Sequence, residues 1–205
     1  MPAPGRPIQL FVASSNPGKL REYRALAEPA GAAVDLEFLP GFDSLPPFEE
    51  IWPTFAENAA GKVLHYSRAA SGLVVADDSG IVVPALGGAP GVHSARYAGP
   101  DASDADRVRK LLGEMRRKKG EERRARFVCV VAVADAGNVQ GVFSASTEGT
   151  LLEDPRGENG FGYDPIFFFP PLGKTFAEIS RVEKNIHSHR GKAFHKALDF
   201  LVGAA

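Results

Sequence analysis

The opening of the chain alternates strand and helix signals, and that pattern constrains the fold more than any other feature. Ile8 to Ala13 is a short apolar run of strand type. Asn16 and Pro17 then signal a helix start, an N-cap followed by proline in the first turn. Leu20, Tyr23 and Ala27 give that helix one apolar face, and Val34 to Leu39 is a second strand. Gly41 to Pro53, rich in proline and acid, is a loop. Thr54 and Glu57 have capping-box spacing, and Phe55, Ala59, Val63 and Tyr66 form the inner face of the helix they open. Leu73 to Ala76 and Ile81 to Val83 are predicted as two strands flanking a polar turn, Asp77-Asp78-Ser79-Gly80. Gly87 to Gly99 is a glycine-rich loop over a site, and Ser103 caps a third helix that ends near Arg116. Late in the chain the pattern changes. Phe127 to Ala134 and Val139 to Ser146 enclose Asp135-Ala136-Gly137-Asn138 as a hairpin. Pro165 to Phe169 is one more strand, and Phe194, Ala197, Leu198 and Leu201 mark a final helix. Early alternation followed by a hairpin predicts an α/β fold with a mixed β-sheet flanked by helices.

Bulk properties exclude several classes. A chain of 205 residues, 44% hydrophobic, suits a single domain with a real core. No clean linker interrupts it, so residues 8–205 are read as one two-lobed catalytic domain around an active-site cleft, and residues 1–7 as a frayed tail. A net charge of −1 gives no footprint for nucleic acid. No apolar stretch reaches membrane-spanning length, and Met1 to Gln9 has no signal-peptide run. Cys129, the one cysteine, lies in an apolar run and is read as a buried, inert thiol, in keeping with a cytoplasmic location. The basic stretch Arg116 to Arg126, interrupted by Glu121-Glu122, is read as a solvated helix end and loop.

Five separated segments carry polar chemistry suited to one nucleotide. Ser14-Ser15-Asn16-Pro17-Gly18-Lys19 follows a strand and opens a helix, where free N–H groups, the helix dipole and a lysine attract phosphate. It lacks the spacing of a Walker loop, and Gly173-Lys174-Thr175 is rejected as one because position 168 is Phe. Glu49-Glu50 and Asp77-Asp78 supply carboxylates of the kind Mg²⁺ prefers, although neighbouring strand residues face opposite ways, so one of the two aspartates faces the metal. Lys62 lies on the second helix within reach of phosphate or solvent, and Glu57 has a capping role. Phe161 and Tyr163, set among Gly160, Gly162 and Asp164, offer an aromatic face for a base. His187, His189 and Arg190 precede the final helix; the histidine pair lacks a third ligand for zinc.

At these residues the chain resembles the inosine triphosphate pyrophosphatase family. The resemblance runs in order from Ser14 to Gly191. Its most specific stretches are Ala76-Asp77-Asp78-Ser79-Gly80, Leu86 to Gly91 with Ser94-Ala95-Arg96-Tyr97, Gly160 to Phe167, and Ser188-His189-Arg190-Gly191. It implies Mg²⁺-dependent hydrolysis of ITP, dITP and XTP to monophosphate and pyrophosphate, an elongated two-lobed fold, and a homodimer. By position it implies Asp78 as catalytic acid residue and metal ligand, and Glu50 as second metal carboxylate. It also implies Ser14 to Lys19 as the phosphate loop, with Ser79, Phe161, Gly162, Tyr163, Asp164, Lys184, His189 and Arg190 at the substrate. Two stretches depart from the family pattern: Ser14-Ser15-Asn16 stands for Thr-Gly-Asn, and Ile51-Trp52-Pro53 replaces a Thr-Gly-containing turn. On this reading a donor such as Arg190 or a backbone N–H greets the 6-oxygen that hypoxanthine and xanthine share and adenine lacks. Competing readings are a Maf-type pyrophosphatase acting on modified bases, a nucleotide-binding regulatory protein and, last, a nucleic-acid binder.

Overall fold

The computed structural model describes residues 7–14, 16–27 and 34–203. Seven strands form one sheet: β1 (Ile8–Val12), β2 (Val34–Phe38), β3 (Leu73–Val82), β4 (Arg124–Asp135), β5 (Asn138–Leu151), β6 (Phe167–Phe169) and β7 (Lys174–Thr175). Their order is β2-β1-β3-β4-β5-β6-β7. β1 runs parallel to β2 and to β3, whereas β6 is antiparallel to β5 and to β7, so the sheet is mixed as the sequence predicts. Five helices accompany it: α1 (Pro17–Ala27), α2 (Phe55–Ser67), α3 (Asp104–Glu114), α4 (Arg181–His187) and α5 (His189–Gly203). No helix among the described residues is long and apolar enough to cross a membrane.

The chain divides into two compact units. One comprises residues 1–78, 129–145 and 190–205, the other residues 79–128 and 146–189. In the first unit β3 and β4 are apolar on both faces because helices cover both. Leu10, Val12, Val75, Cys129, Val131 and Val133 pack with Leu20 and Tyr23 of α1 and with Phe194, Ala197 and Leu198 of α5. The alternate residues Phe11, Val74, Ala76, Val130 and Ala132 pack with Ala59, Val63 and Tyr66 of α2. The second unit buries Ile81, Val83, Leu111, Met115, Phe127, Phe167 and Phe176 together.

Several expectations are corrected. Asp77 to Gly80 is not a turn: β3 runs unbroken through it. Weak strand formers persist there because each polar side chain finds a partner and because Gly80 permits a close approach. A Cβ at Gly80 would meet the Gly91 carbonyl at 2.4 Å and Ser94 Oγ at 2.4 Å. Ser94 Oγ accepts from the Ile81 N–H at 2.9 Å and donates to the Gly91 carbonyl at 2.6 Å, pinning the glycine-rich segment to β3. That segment, Gly87 to Gly99, holds a short 3₁₀ turn at Gly91–Arg96, and another, Pro84–Leu86, precedes it. The strand predicted over Pro165 to Phe169 starts only at Phe167, after a 3₁₀ turn from Asp164 to Ile166. The hairpin strands extend well beyond the predicted run, to Arg124 and Leu151, around Ala136 and Gly137, both at positive φ. β7 and α4 were not anticipated, although α4 carries a full capping box from Ser180 to Glu183. At α2 the box is different: Thr54 accepts from the Glu57 N–H at 3.2 Å, and its hydroxyl bonds the Glu57 carboxylate at 2.6 Å.

The basic stretch is solvated except at Arg123, which is buried. Its guanidinium donates to the carbonyls of Met115, Lys118, Leu151 and Leu152 at 2.6–3.2 Å, so it joins the end of α3 to the end of β5. The predicted tail lies outside the described residues apart from Pro7.

Gly80→Ala is expected to lower stability by about 1–3 kcal/mol, since the methyl group must displace backbone. Urea denaturation of the two proteins checks this.

Candidate active site

Strand alternation decides the chemistry of β3. Asp77 and Asp78 are both buried, and they point to opposite faces of the sheet. Asp77 lies on the face covered by α1 and α5. Its Oδ1 accepts from Lys19 Nζ at 2.9 Å, and its Oδ2 lies 3.5 Å from Arg190 Nε. Arg190, only 3% exposed, also bonds Glu22 at 2.7 Å. Two acids and two bases thus form one buried, neutral quartet. Burial pushes the Asp77 carboxyl up, but Lys19, then Arg190 and Lys62, outweigh it and hold the group well below the usual carboxylate range.

Asp78 lies on the α2 face. Its Oδ2 accepts from Asn58 Nδ2 at 3.1 Å. Burial, then the Glu50 charge, raises its carboxyl to about 6, against the opposing pull of Lys62. Lys62 ion-pairs with Glu50 and donates to the Asp77 carbonyl at 3.2 Å. Burial pushes the Lys62 ammonium down, but Glu50, then Asp77, outweigh it and raise the group above the usual lysine value. Glu49 is exposed.

The phosphate-loop segment has a particular local order. Asn16 Oδ1 accepts from the N–H groups of Gly18 at 2.8 Å and Lys19 at 3.4 Å, and the Asn16 N–H donates to Ser14 Oγ at 3.1 Å. Asn16 therefore caps its own helix, and the Lys19 ammonium is the cation this segment presents. Ser15 lies outside the described residues, and Pro17 is the first residue of α1.

In the second unit, Asp164 closes a tight turn. Its Oδ2 accepts from the Phe161 N–H at 2.9 Å and from Lys184 Nζ at 2.5 Å. Lys184 Nζ sits 4.7 Å from the centre of the Phe161 ring. The Gly162 N–H donates to Asp104, and the buried Tyr163 hydroxyl donates to the Ser94 carbonyl at 2.9 Å. Tyr163 is buried, whereas Phe161 and Ser79 are half-buried. The His189 ring stacks on Phe127 at 4.6 Å. His189 and Arg190 are the first residues of α5 rather than a loop before it. The Arg190 guanidinium is turned to Glu22 and Asp77.

Sequence reasoning missed Asn58 and Glu22. Glu22 could have been found, because it is a lone acid among the buried positions of α1.

A family model described as the Ham1 family matches residues 10–200. The chain belongs to the Ham1 family. Its Ham1 relatives include a dITP/XTP pyrophosphatase of Geobacillus kaustophilus, 49% identical over 92% of this chain and 91% of that one. Another, from Thermus thermophilus and of the same name, is 47% identical over 95% and 92%. Among solved structures, a HAM1 protein from Coxiella burnetii aligns with a TM-score of 0.84 at 38% identity, covering 97% of this chain and all of that one.

Glu22→Ala leaves Arg190 short of one buried partner and is expected to cost roughly 3 kcal/mol of stability. A chemical denaturation curve checks it.

Proposed function

We propose that this Ham1 protein hydrolyses deaminated-purine nucleoside triphosphates, ITP, dITP and XTP, to monophosphate and pyrophosphate. The observation that carries the reading is the group that β3, α2 and the loop before α2 bring together: buried Asp78 with half-buried Glu50 and Lys62, and Lys19 on Asp77 next in sequence. The names of its relatives support the same reading.

The donor set suits Mg²⁺. Among the described residues no group of three or more His, Cys, Asp or Glu converges. Mg²⁺ does not need one, since it is held by one or two carboxylates together with waters and substrate phosphates. Glu50 and Asp78 are the residues that would hold it. When bound, the ion offsets charge on the phosphate oxygens.

The chain's own residues do the rest. Lys19 and Lys62 neutralise the triphosphate and stabilise the leaving pyrophosphate. Asp78 orients the attacking water and takes its proton as oxygen bonds to the α-phosphorus. The α–β anhydride bond breaks, and its electron pair leaves on pyrophosphate. Phe161 offers a flat face to a purine, and Lys184 beside it is a donor only. A donor suits a 6-oxygen and opposes adenine's 6-amino group, a mismatch of about 1–3 kcal/mol.

Pyrophosphate release from ITP, XTP, GTP and ATP, with Mg²⁺ and with EDTA, tests this. ITP and XTP turnover is expected to exceed that of ATP roughly 5- to 150-fold, following that mismatch. EDTA is expected to abolish it; full activity in EDTA overturns the metal assignment. Asp78→Asn is expected to fold and to lose about 100-fold or more in kcat. Near-normal turnover by that variant removes Asp78 from the chemistry.

A further inference from the structure

We propose that Asn58 is a positioning residue, one carboxamide that ties the Glu50-bearing loop to the Asp78 side chain. The inference rests on the reading of Asp78 and Glu50 given above.

Asn58 is fully buried in the first turn of α2. Its Oδ1 accepts from the Trp52 N–H at 3.1 Å, and its Nδ2 donates to the Trp52 carbonyl at 3.1 Å. The same Nδ2 donates to Asp78 Oδ2 at 3.1 Å. The amide orientation follows from these partners, because a flipped group would set its oxygen against two acceptors. Three of its four hydrogen-bonding positions are used, two on the loop and one on the carboxylate.

The rest of α2 supports the same loop. Tyr66 Oη accepts from the Phe48 N–H at 3.1 Å, and His65 Nε2 bonds the Pro46 carbonyl at 2.8 Å. Lys62 pairs with Glu50 itself. Residues 58, 62 and 66 recur every fourth position, so they form one stripe along the helix. Glu50 thus lies two residues after one backbone anchor, Phe48, and two before the other, Trp52. Gly61 lies beside this stripe, and a Cβ there would meet the Phe48 ring at 2.6 Å, so the missing side chain lets the loop lie against the helix. Phe42, Leu45 and Phe48 pack against the core on the α2 side, but beyond Phe48 the loop offers little burial: Ile51 is 71% and Trp52 48% exposed. Hydrogen bonds to α2, rather than apolar packing, set its course at that end.

The chain contains one tryptophan, Trp52, so its fluorescence reports on this loop alone. Asn58→Asp keeps the volume and the acceptor but places a carboxylate against Asp78 and the Trp52 carbonyl. Asn58→Ala removes all three bonds. Both are expected to lower kcat about 10- to 100-fold. Nucleotide KM moves less than kcat, because Lys19 and Lys62 are retained. Acrylamide quenching of Trp52 is expected to rise in both variants, with and without Mg²⁺. Turnover within about twofold of wild type overturns the proposal, as does a kcat loss with unchanged quenching. Hydrogen exchange on the wild-type chain decides the matter even where neither variant folds. The Trp52 amide is expected to exchange at least about tenfold more slowly than an open peptide, and exchange at the open rate overturns the clamp. An inert wild-type enzyme overturns the proposed function instead, while the Trp52 readouts judge the clamp separately.

Discussion

Two consecutive aspartates in the middle of a buried strand are the constraint to which the neighbouring elements answer. A carboxylate removed from water without compensation is costly enough that the fold must either neutralise it or supply partners. Because side chains alternate along β3, the demand is divided between two faces. On one face Lys19 and Arg190 come to Asp77 from α1 and α5. On the other Asn58 and the Lys62–Glu50 pair come to the neighbourhood of Asp78 from α2 and its preceding loop. Helices that pack against this unit's strands by ordinary apolar faces therefore also deliver the polar groups.

The two faces are balanced differently. The Asp77 face closes on itself as two acids and two bases, with Glu22 as the final member. Its carboxyl is held firmly ionised. On the Asp78 face a neutral amide bonds the carboxylate, and burial, then the neighbouring acid Glu50, raises its proton affinity.

The sequence made the mixed sheet, four of the five helices and the apolar faces legible, because these follow from periodicity and capping residues. It failed where a tertiary partner overrides a local preference. Asp77-Asp78-Ser79-Gly80 has turn composition, yet it continues a strand because Lys19, Asn58 and Ser94 supply what water would have supplied. Arg123 looked like one more surface charge, and only the convergence of four carbonyls, two of them near Leu151, makes it buried. At the site, residue types such as Lys19, Asp78 and Phe161 could be named from motifs. What each one faces could not: the ion pairs of Arg190 with Glu22 and Asp77 join residues far apart in sequence. Asn58 escaped notice because an asparagine in a helix has no signature until its three partners are seen.

The path of the chain has one more consequence. It passes from one compact unit to the other after residues 78, 128, 145 and 189. Three of those passages fall inside β3, β4 and β5, and the last falls in the opening turn of α5. Neither unit is a continuous stretch of sequence, so no single truncation yields one without the other. Asp78 is the last residue of one unit and Ser79 the first of the next, which puts this carboxylate on an unbroken strand instead of a linker. Cutting the chain at any one of those passages therefore divides the first unit, and a cut after residue 128 or 145 divides both.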